Sequence, residues 1–588
     1  MKVFLNTHRV IAVIAIALSS LSLSAKEQRV FVKMKNSGIL NSLAQTQVLA
    51  LRDKTTSLSS LEYLKQKQLQ LVFPQVHLQL EDNLRNLNAM VAMVNSEADI
   101  ENLRRNPNVD YVDVEVFHPA PKPSRGFLFS PLAEGVNLAE KSQTPWGILA
   151  VKAIEAWQLG GMGEKSRVLV LDTGIDKNHP SLKQNFEEGR NFVSEDDVEN
   201  PSNTGDYADL VGHGTHVSGT IAGVLDPSGF SGVAPKAKIL MGRVCSPKGC
   251  SNIAIAQGLN WGIEKKVDVI SMSLSGPWST PSERDAIAKA YEAGITMVAA
   301  TGNDGTSHVS FPAALREVIA VGAVDSKGQR ASFSQYGPSL AIMAPGVAVV
   351  SSVPVGTGRV PKVQMSINGG GLTDVQSTAF QGARSINKPL ENELVYAGLG
   401  RPEDFAKVNV VGKFALVQRG EIEFGKKAMN AINARAAGII IFNNAPGSVN
   451  GTLTQDGSVM PIPAFGIEQT TGEIAQKALA AGQVVRGRVA VETTNYAPFD
   501  GTSMATPHIA GIVALMKNAN KGLSPAQVKD ILQKTATKVE LNPSNQYGAG
   551  IVNAESAVKE SMATQAELLE EISPNNNLTF VPDTERVQ

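Results

Sequence analysis

The chain has 588 residues, of which 43% are hydrophobic and 19% charged, a composition typical of folded globular proteins. That length suits three or so domains, each burying its own core. With 54 Lys+Arg against 55 Asp+Glu the net charge is −1, which gives no electrostatic case for nucleic acid or an anionic membrane as partner.

Lys2, His8 and Arg9 precede the apolar run from Val10 to Leu18, and small residues follow up to Ala25. A basic start, a short apolar stretch and small residues before Lys26 describe a secretory signal peptide over 1–25. The run is too short to serve comfortably as a membrane anchor. The product is therefore expected to be secreted, extracellular or periplasmic, with no membrane span once the signal is removed.

Residues 26–118 read as a small α+β unit. Arg29–Met34, 88–94 and 109–116 alternate like strands, and Ser96 opens a helix with acidic Asp99 three positions on. A connector with Pro, Gly and Ser spans 119–144. From Pro145 short apolar strands (168–171, 267–273, 295–300, 318–323) alternate with helical stretches, which indicates an α/β fold with a mostly parallel central sheet. That rhythm runs over 145–355, breaks over 356–495, where an inserted β-rich domain is expected, and resumes over 496–558. The insert offers strands at 412–420 and 438–444 around a helix at 424–437. The polar stretch 559–588 reads as a loosely docked helix and tail.

The two cysteines, Cys245 and Cys250, stand in Cys-Ser-Pro-Lys-Gly-Cys. Export favours oxidation, and Pro247 and Gly249 supply a turn, so a small disulfide loop is expected over two free thiols. Such a loop adds little chain entropy and would act by local rigidity.

Three blocks place a reactive residue beside glycines at a strand end or a helix start. They are Val170-Leu171-Asp172-Thr173-Gly174, Gly212-His213-Gly214-Thr215-His216 and Gly501-Thr502-Ser503-Met504-Ala505-Thr506-Pro507. A serine hydroxyl needs an imidazole to take its proton, a carboxylate to fix that imidazole's tautomer, and preorganised donors for the oxyanion. Asn303, following a strand in Ala300-Thr301-Gly302-Asn303, offers one such donor. Each block alone is weak. Asp-Thr-Gly also occurs in aspartic proteases, where it is used twice, and His213 with His216 at i, i+3 suits zinc.

Together, in the order Asp, His, Ser, the blocks closely resemble the subtilisin-like (subtilase) serine protease family. Residues 318–326 and Met343-Ala344-Pro345-Gly346 extend the likeness. It implies a three-layer subtilisin-like fold and a serine endopeptidase with Asp172, His213 and Ser503 as triad. Asn303 and the Ser503 N–H would form the oxyanion hole, and His216 and His508 would pack helices. It further implies substrate binding along Ser273, Leu274, Ser275 and Gly276, and on Ala300, Thr301 and Gly302, with Ser310 near the floor of a pocket for an apolar side chain. The disulfide loop would stiffen the rim beside it.

The resemblance implies no cofactor for catalysis and leaves a structural calcium ion open. The family's calcium-binding loop would fall at 224–230, where this chain is short. The insert resembles a protease-associated (PA) domain, which either guides substrates or stabilises the enzyme. Residues 26–118 resemble an inhibitory propeptide, making the chain a self-processing zymogen. The expected partners are protein or peptide substrates and the chain's own propeptide, on a monomer. A non-catalytic scaffold would ordinarily lack a triad residue. A lipase or esterase would carry Gly-x-Ser-x-Gly, which is missing around Ser503.

Overall fold

The computed structural model describes residues 27–572 apart from most of 36–65, and apart from 121–123, 126–143, 194–206, 226–229, 381, 387, 446–448, 450, 455–457 and 541. The stretch 1–25 expected to be a signal peptide, most of the connector, the core of the short loop at 226–229 and the end of the C-terminal tail lie outside the described residues. The chain divides into two compact units at 115/116, three residues before the boundary drawn from sequence.

In the first unit an antiparallel sheet of order β2-β3-β1-β4 is built from β1 (Gln28–Met34), β2 (Leu78–Leu84), β3 (Ala89–Val94) and β4 (Val109–Val114). Helix α1 (Glu97–Arg105) starts where Ser96 Oγ accepts the Asp99 N–H, and its Ile100 and Leu103 pack on Val30, Val32 and Val94. Arg29 crosses strands to ion-pair with Glu81 at 2.7 Å and Glu115 at 3.0 Å.

The second unit begins with two short strands, β5 (Phe117–His118) and β6 (Ser124–Arg125), then α2 (Trp146–Ala150) and α3 (Ala153–Gly160). Its central sheet has seven strands, all paired in parallel. They are β7 (Arg167–Asp172), β8 (Phe186–Asn191), β9 (Lys238–Arg243), β12 (Val269–Met272), β13 (Thr296–Ala300), β14 (Val318–Val324) and β15 (Ile342–Pro345), in the order β15-β14-β13-β12-β7-β9-β8. Between them run α4 (His213–Ala222), the disulfide hairpin of β10 (Cys245–Ser246) and β11 (Gly249–Ser251), α5 (Asn252–Lys265) and α6 (Pro281–Glu292). Strands β12, β13 and β14 are buried along their whole length, as expected of a sheet covered on both faces.

After β16 (Val349–Ser352) the chain leaves through β17 (Gly358–Ile367), which carries β18 (Thr373–Val375) on its outer side. The insert continues with β19 (Ser377–Ala379), β20 (Leu390–Tyr396), α7 (Pro402–Phe405), β21 (Phe414–Gln418), α8 (Phe424–Asn433), β22 (Gly438–Phe442), β23 (Ala464–Ile467) and α9 (Gln469–Ala480). It returns along β24 (Val485–Thr494), antiparallel to β17 over ten residue pairs from Gly358↔Thr494 to Ile367↔Val485. The result is an eight-stranded β-rich sheet. The chain re-enters the layers around the seven-stranded sheet with β25 (Tyr496–Asp500), α10 (Thr502–Ala519), α11 (Pro525–Thr535) and α12 (Ala554–Ile572). The last helix runs straight through the sequence boundary at 558/559. It stays docked there: Ser561 is buried and its carbonyl accepts Asn520 Nδ2 at 3.1 Å.

Candidate active site

Strand β7 lies between β12 and β9 and delivers Asp172, fully buried, at its carboxyl end. Ligand sites of open α/β sheets gather at this edge. Asp172 Oδ1 accepts the Thr173 N–H at 2.7 Å and pairs with His213 Nδ1 at 2.8 Å.

His213 is the first residue of α4, and its approach to β7 depends on Gly214. A Cβ at that position would run into the Gly174 carbonyl and the Asp172 side chain. The start of α4 is held by a residue that sequence reasoning missed, Asp209. One of its oxygens accepts the Gly212 N–H at 2.8 Å and the Thr173 hydroxyl at 2.9 Å. The other accepts the Thr215 N–H at 2.8 Å and the Thr215 hydroxyl at 2.6 Å. A carboxylate against the first turn of a helix satisfies orphan donors and complements the dipole. Burial nevertheless pushes the Asp209 carboxyl up, against these hydrogen bonds.

Burial disfavours the charged imidazole of His213. The Asp172 carboxylate, through charge and hydrogen bond, and Asp209 at longer range outweigh it, so the net shift is upward. His216, one turn on, behaves oppositely: burial, with His213 nearby, pushes it down to about 3. Its Nε2 faces the carbonyls of Val349 at 2.9 Å and Ala497 at 3.1 Å, and its ring stacks on Phe499 at 4.3 Å. His508 bonds through Nδ1 to the Met504 carbonyl at 2.8 Å. His216 thus packs α4 against β16 and β25, and His508 is buried on α10.

Ser503 lies in the first turn of α10, which packs against α4. Its N–H is among the first-turn donors that have no intrahelical acceptor. Pro507 cannot donate to the Ser503 carbonyl four residues back, and the Ser273 hydroxyl takes that acceptor at 2.8 Å. In return Ser503 Oγ donates to the Ser273 carbonyl at 3.1 Å. In this resting arrangement the hydroxyl therefore engages Ser273 rather than His213 among the described residues.

Asn303 is anchored through one atom: its Oδ1 accepts the Thr502 N–H and the Thr502 hydroxyl, both at 2.9 Å. That fixes the amide with Nδ2 left over. Thr502 is a second residue that the motif reading did not single out.

Beside them, Ser273, Leu274, Ser275 and Gly276 follow β12, and Gly276 exchanges backbone hydrogen bonds with Phe311 at 2.8 and 2.9 Å. Ala300 ends β13, Thr301 and Gly302 follow it, and Ser310 N–H donates to the Thr301 carbonyl at 2.9 Å. The Ser310 hydroxyl meets buried Gln335 at 3.2 Å, and Gln335 also donates to the His308 carbonyl. This corner is more polar than small side chains alone suggest.

Cys245 and Cys250 form a disulfide across directly opposed residues of β10 and β11. On the outer side of β11 lies β5, antiparallel, with Cys250↔His118 and Ser251↔Phe117 in register. Strand β6 pairs with β25, which leads into the Ser503 helix, at Phe499↔Arg125 and Asp500↔Ser124.

The comparisons with known proteins agree with this geometry. The subtilase family model matches residues 163–379 and 479–550, and the PA domain model matches 388–475, between the two halves. The chain is 35% identical over 285 residues to the major intracellular serine protease of Bacillus subtilis, covering 47% of this chain and 85% of that one. It is 36% identical over 283 residues to subtilisin NAT of Bacillus subtilis subsp. natto, covering 47% of this chain and 67% of the relative. Similarity to the minor extracellular protease Vpr of Bacillus subtilis is 28% over 470 residues, or 70% of this chain and 53% of Vpr. Among solved structures, the psychrophilic subtilisin-like protease Apa1 from an Antarctic Pseudoalteromonas is 28% identical with a TM-score of 0.51, covering 72% of this chain and 99% of Apa1. Sheet order, motif geometry and these matches converge: the chain belongs to the subtilase family, with a PA domain inserted in its catalytic domain, and is a serine endopeptidase.

Proposed function

We propose that Asp172, His213 and Ser503 are the catalytic triad of an exported endopeptidase made as a self-processing precursor. The observation that carries this reading is the buried 2.8 Å bond between Asp172 and His213 Nδ1, at the sheet edge against which the Ser503 helix packs. An extended peptide adds as a strand along 273–276, with β11 as the opposing edge. Ser503 Oγ swings from the Ser273 carbonyl to His213 Nε2, gives up its proton and attacks the peptide carbonyl. The Ser503 N–H and Asn303 Nδ2 hold the oxyanion. His213 then protonates the leaving amine, and water completes hydrolysis of the acyl-enzyme.

Asn303→Ala is expected to lower kcat by about 10²–10³ with little change in KM, because the oxyanion exists only on the way through the reaction. That magnitude is the one known for loss of an oxyanion-hole asparagine in a subtilisin. Steady-state kinetics on a chromogenic peptide check it; a loss confined to KM would remove Asn303 from this role.

Residues 1–25 would direct export, in keeping with the extracellular location in the name of the relative Vpr. No described helix is long and apolar enough to cross a membrane. Residues 26–118 would act as the intramolecular inhibitor, with processing in the 119–144 connector. The pairing of His118 with β11 and of Ser124 with β25 favours a cut early in that connector. The Cys245–Cys250 link stiffens the β10–β11 rim. A Cys245→Ser/Cys250→Ser double variant is expected to flatten side-chain preference upstream of the cut bond in a peptide-library digest. An unchanged preference profile would remove the disulfide from substrate selection.

A further inference from the structure

We propose that Glu283 is a specificity-determining residue of the substrate cleft, selecting peptides that present histidine, and then arginine or lysine, at the position His118 occupies. The proposal rests on the endopeptidase reading above. His118 lies in the second unit, on a strand antiparallel to β11, the backbone arrangement an extended peptide adopts when it adds to a sheet edge. The segment before it is tied to the same rim: Asn252 Oδ1 accepts the Val116 N–H at 2.9 Å and Asn252 N–H donates to the Val116 carbonyl at 3.1 Å. Residues 116–118 thus act as a stand-in for bound substrate.

The His118 side chain enters a built recess. Its Nε2 meets Glu283 Oε1 at 2.7 Å, and the two residues are only 3% and 4% exposed. The ring lies beside Trp278, with centroids 5.8 Å apart, and over Gly276, where any Cβ would collide with the imidazole. Glu283 is held before the imidazole arrives. It closes the capping box of α6, Oε2 accepting the Thr280 N–H at 2.8 Å and the Thr280 hydroxyl at 3.1 Å, which leaves Oε1 for the incoming side chain. An apolar side chain in this recess would exclude water from Oε1 and give it no donor, whereas a donor or cation satisfies it. The cap alone needs only one of the two carboxylate oxygens; the aim of the other is what points to ligand recognition.

The test is a fluorogenic library in which each position from two to six residues upstream of the cut bond is scanned through His, Arg, Lys, Ala, Leu and Phe. It is read as kcat/KM with the matured enzyme and with Glu283→Gln. Glutamine preserves the capping box, and ratios within one enzyme cancel any overall loss of active protein. The wild type is expected to favour His, Arg and Lys over Leu at one position by on the order of 10–100-fold, the cost of leaving a buried acceptor unpaired. In Glu283→Gln the Arg and Lys preference is expected to collapse while some His preference stays, since the amide oxygen closes the capping box and the NH2 left facing the recess donates to a neutral imidazole nitrogen but has nothing to offer a cation. A wild type that prefers Leu or Phe at every scanned position, or a variant with an unchanged ranking, overturns the subsite while leaving the endopeptidase standing. Failure to cut any peptide overturns the endopeptidase reading and the subsite with it.

Discussion

Ser503→Ala is expected to reduce kcat by about 10⁶ and to leave the full-length precursor intact when expressed in a protease-free host. The magnitude is that found for nucleophile removal in a subtilisin. The reason for so large an effect is that every step of acyl transfer passes through this one oxygen. The variant is also expected to fold. The Ser503 side chain gives one hydrogen bond, to the Ser273 carbonyl, while the stabilising contacts of this turn use backbone atoms and neighbours: the Ser503 carbonyl with Ser273 Oγ, and Thr502 with Asn303. Steady-state kinetics and gel analysis with N-terminal sequencing check both halves. An alanine variant processed at the wild-type rate would show that another protease, or another nucleophile, does the cutting.

Asp172→Asn is expected to cost about 10⁴ in kcat and to move the acidic limb of the kcat/KM profile to lower pH. His213 must be neutral to accept the serine proton. Burial alone lowers the pKa of the imidazole, and the Asp172 carboxylate is the main reason the net shift is upward. Removing that charge lets burial dominate, so the ring loses its proton at lower pH in the variant. The profile shifts left even as its height falls, because the amide no longer enforces the tautomer or balances the imidazolium. Asp500, pushed up to about 6 by burial against the opposing Ala348 N–H, is a second group that can shape the acidic limb, and it sits just before the Ser503 turn. It is unaltered in this variant, so a limb that stays in place despite Asp172→Asn would belong to Asp500 rather than His213.

The residues proposed to carry the chemistry are legible because each sits where regular structure stops. Asp172 ends an apolar strand, His213 and Ser503 open helices, and glycines beside them permit the close approaches. Such local features leave a mark in a short string. The residues that position them leave none. Asp209 acts on Gly212, Thr173 and Thr215, and its role depends on a fold that brings β7 beside α4. Gln335 reaches the Ser310 corner from 25 positions away, and Glu283 reads as an ordinary capping-box acid until β5 places an imidazole on it.

The same distinction holds for the fold. Strands buried on both faces, such as β12 to β14, stand out as apolar runs. Strand β8, Phe-Glu-Glu-Gly-Arg-Asn on the sheet edge and largely half-exposed, has no such signal. The helix read over 424–437 ends at Asn433, and Arg435 takes a positive φ of 62° on the way into β22. A change from apolar to polar composition at 558/559 divides the C-terminal helix in the sequence. Burial of Ser561 continues the packing beyond it.

Asp172, His213 and Ser503 are proposed to act as one unit. The most direct test is labelling of the matured enzyme with a peptidyl phosphonate, followed by mass mapping, in the wild type and in His213→Ala. A single adduct on Ser503 is expected in the wild type, with labelling slowed by several orders of magnitude in His213→Ala. An adduct on another residue, or equal labelling rates in the two proteins, would contradict that proposal.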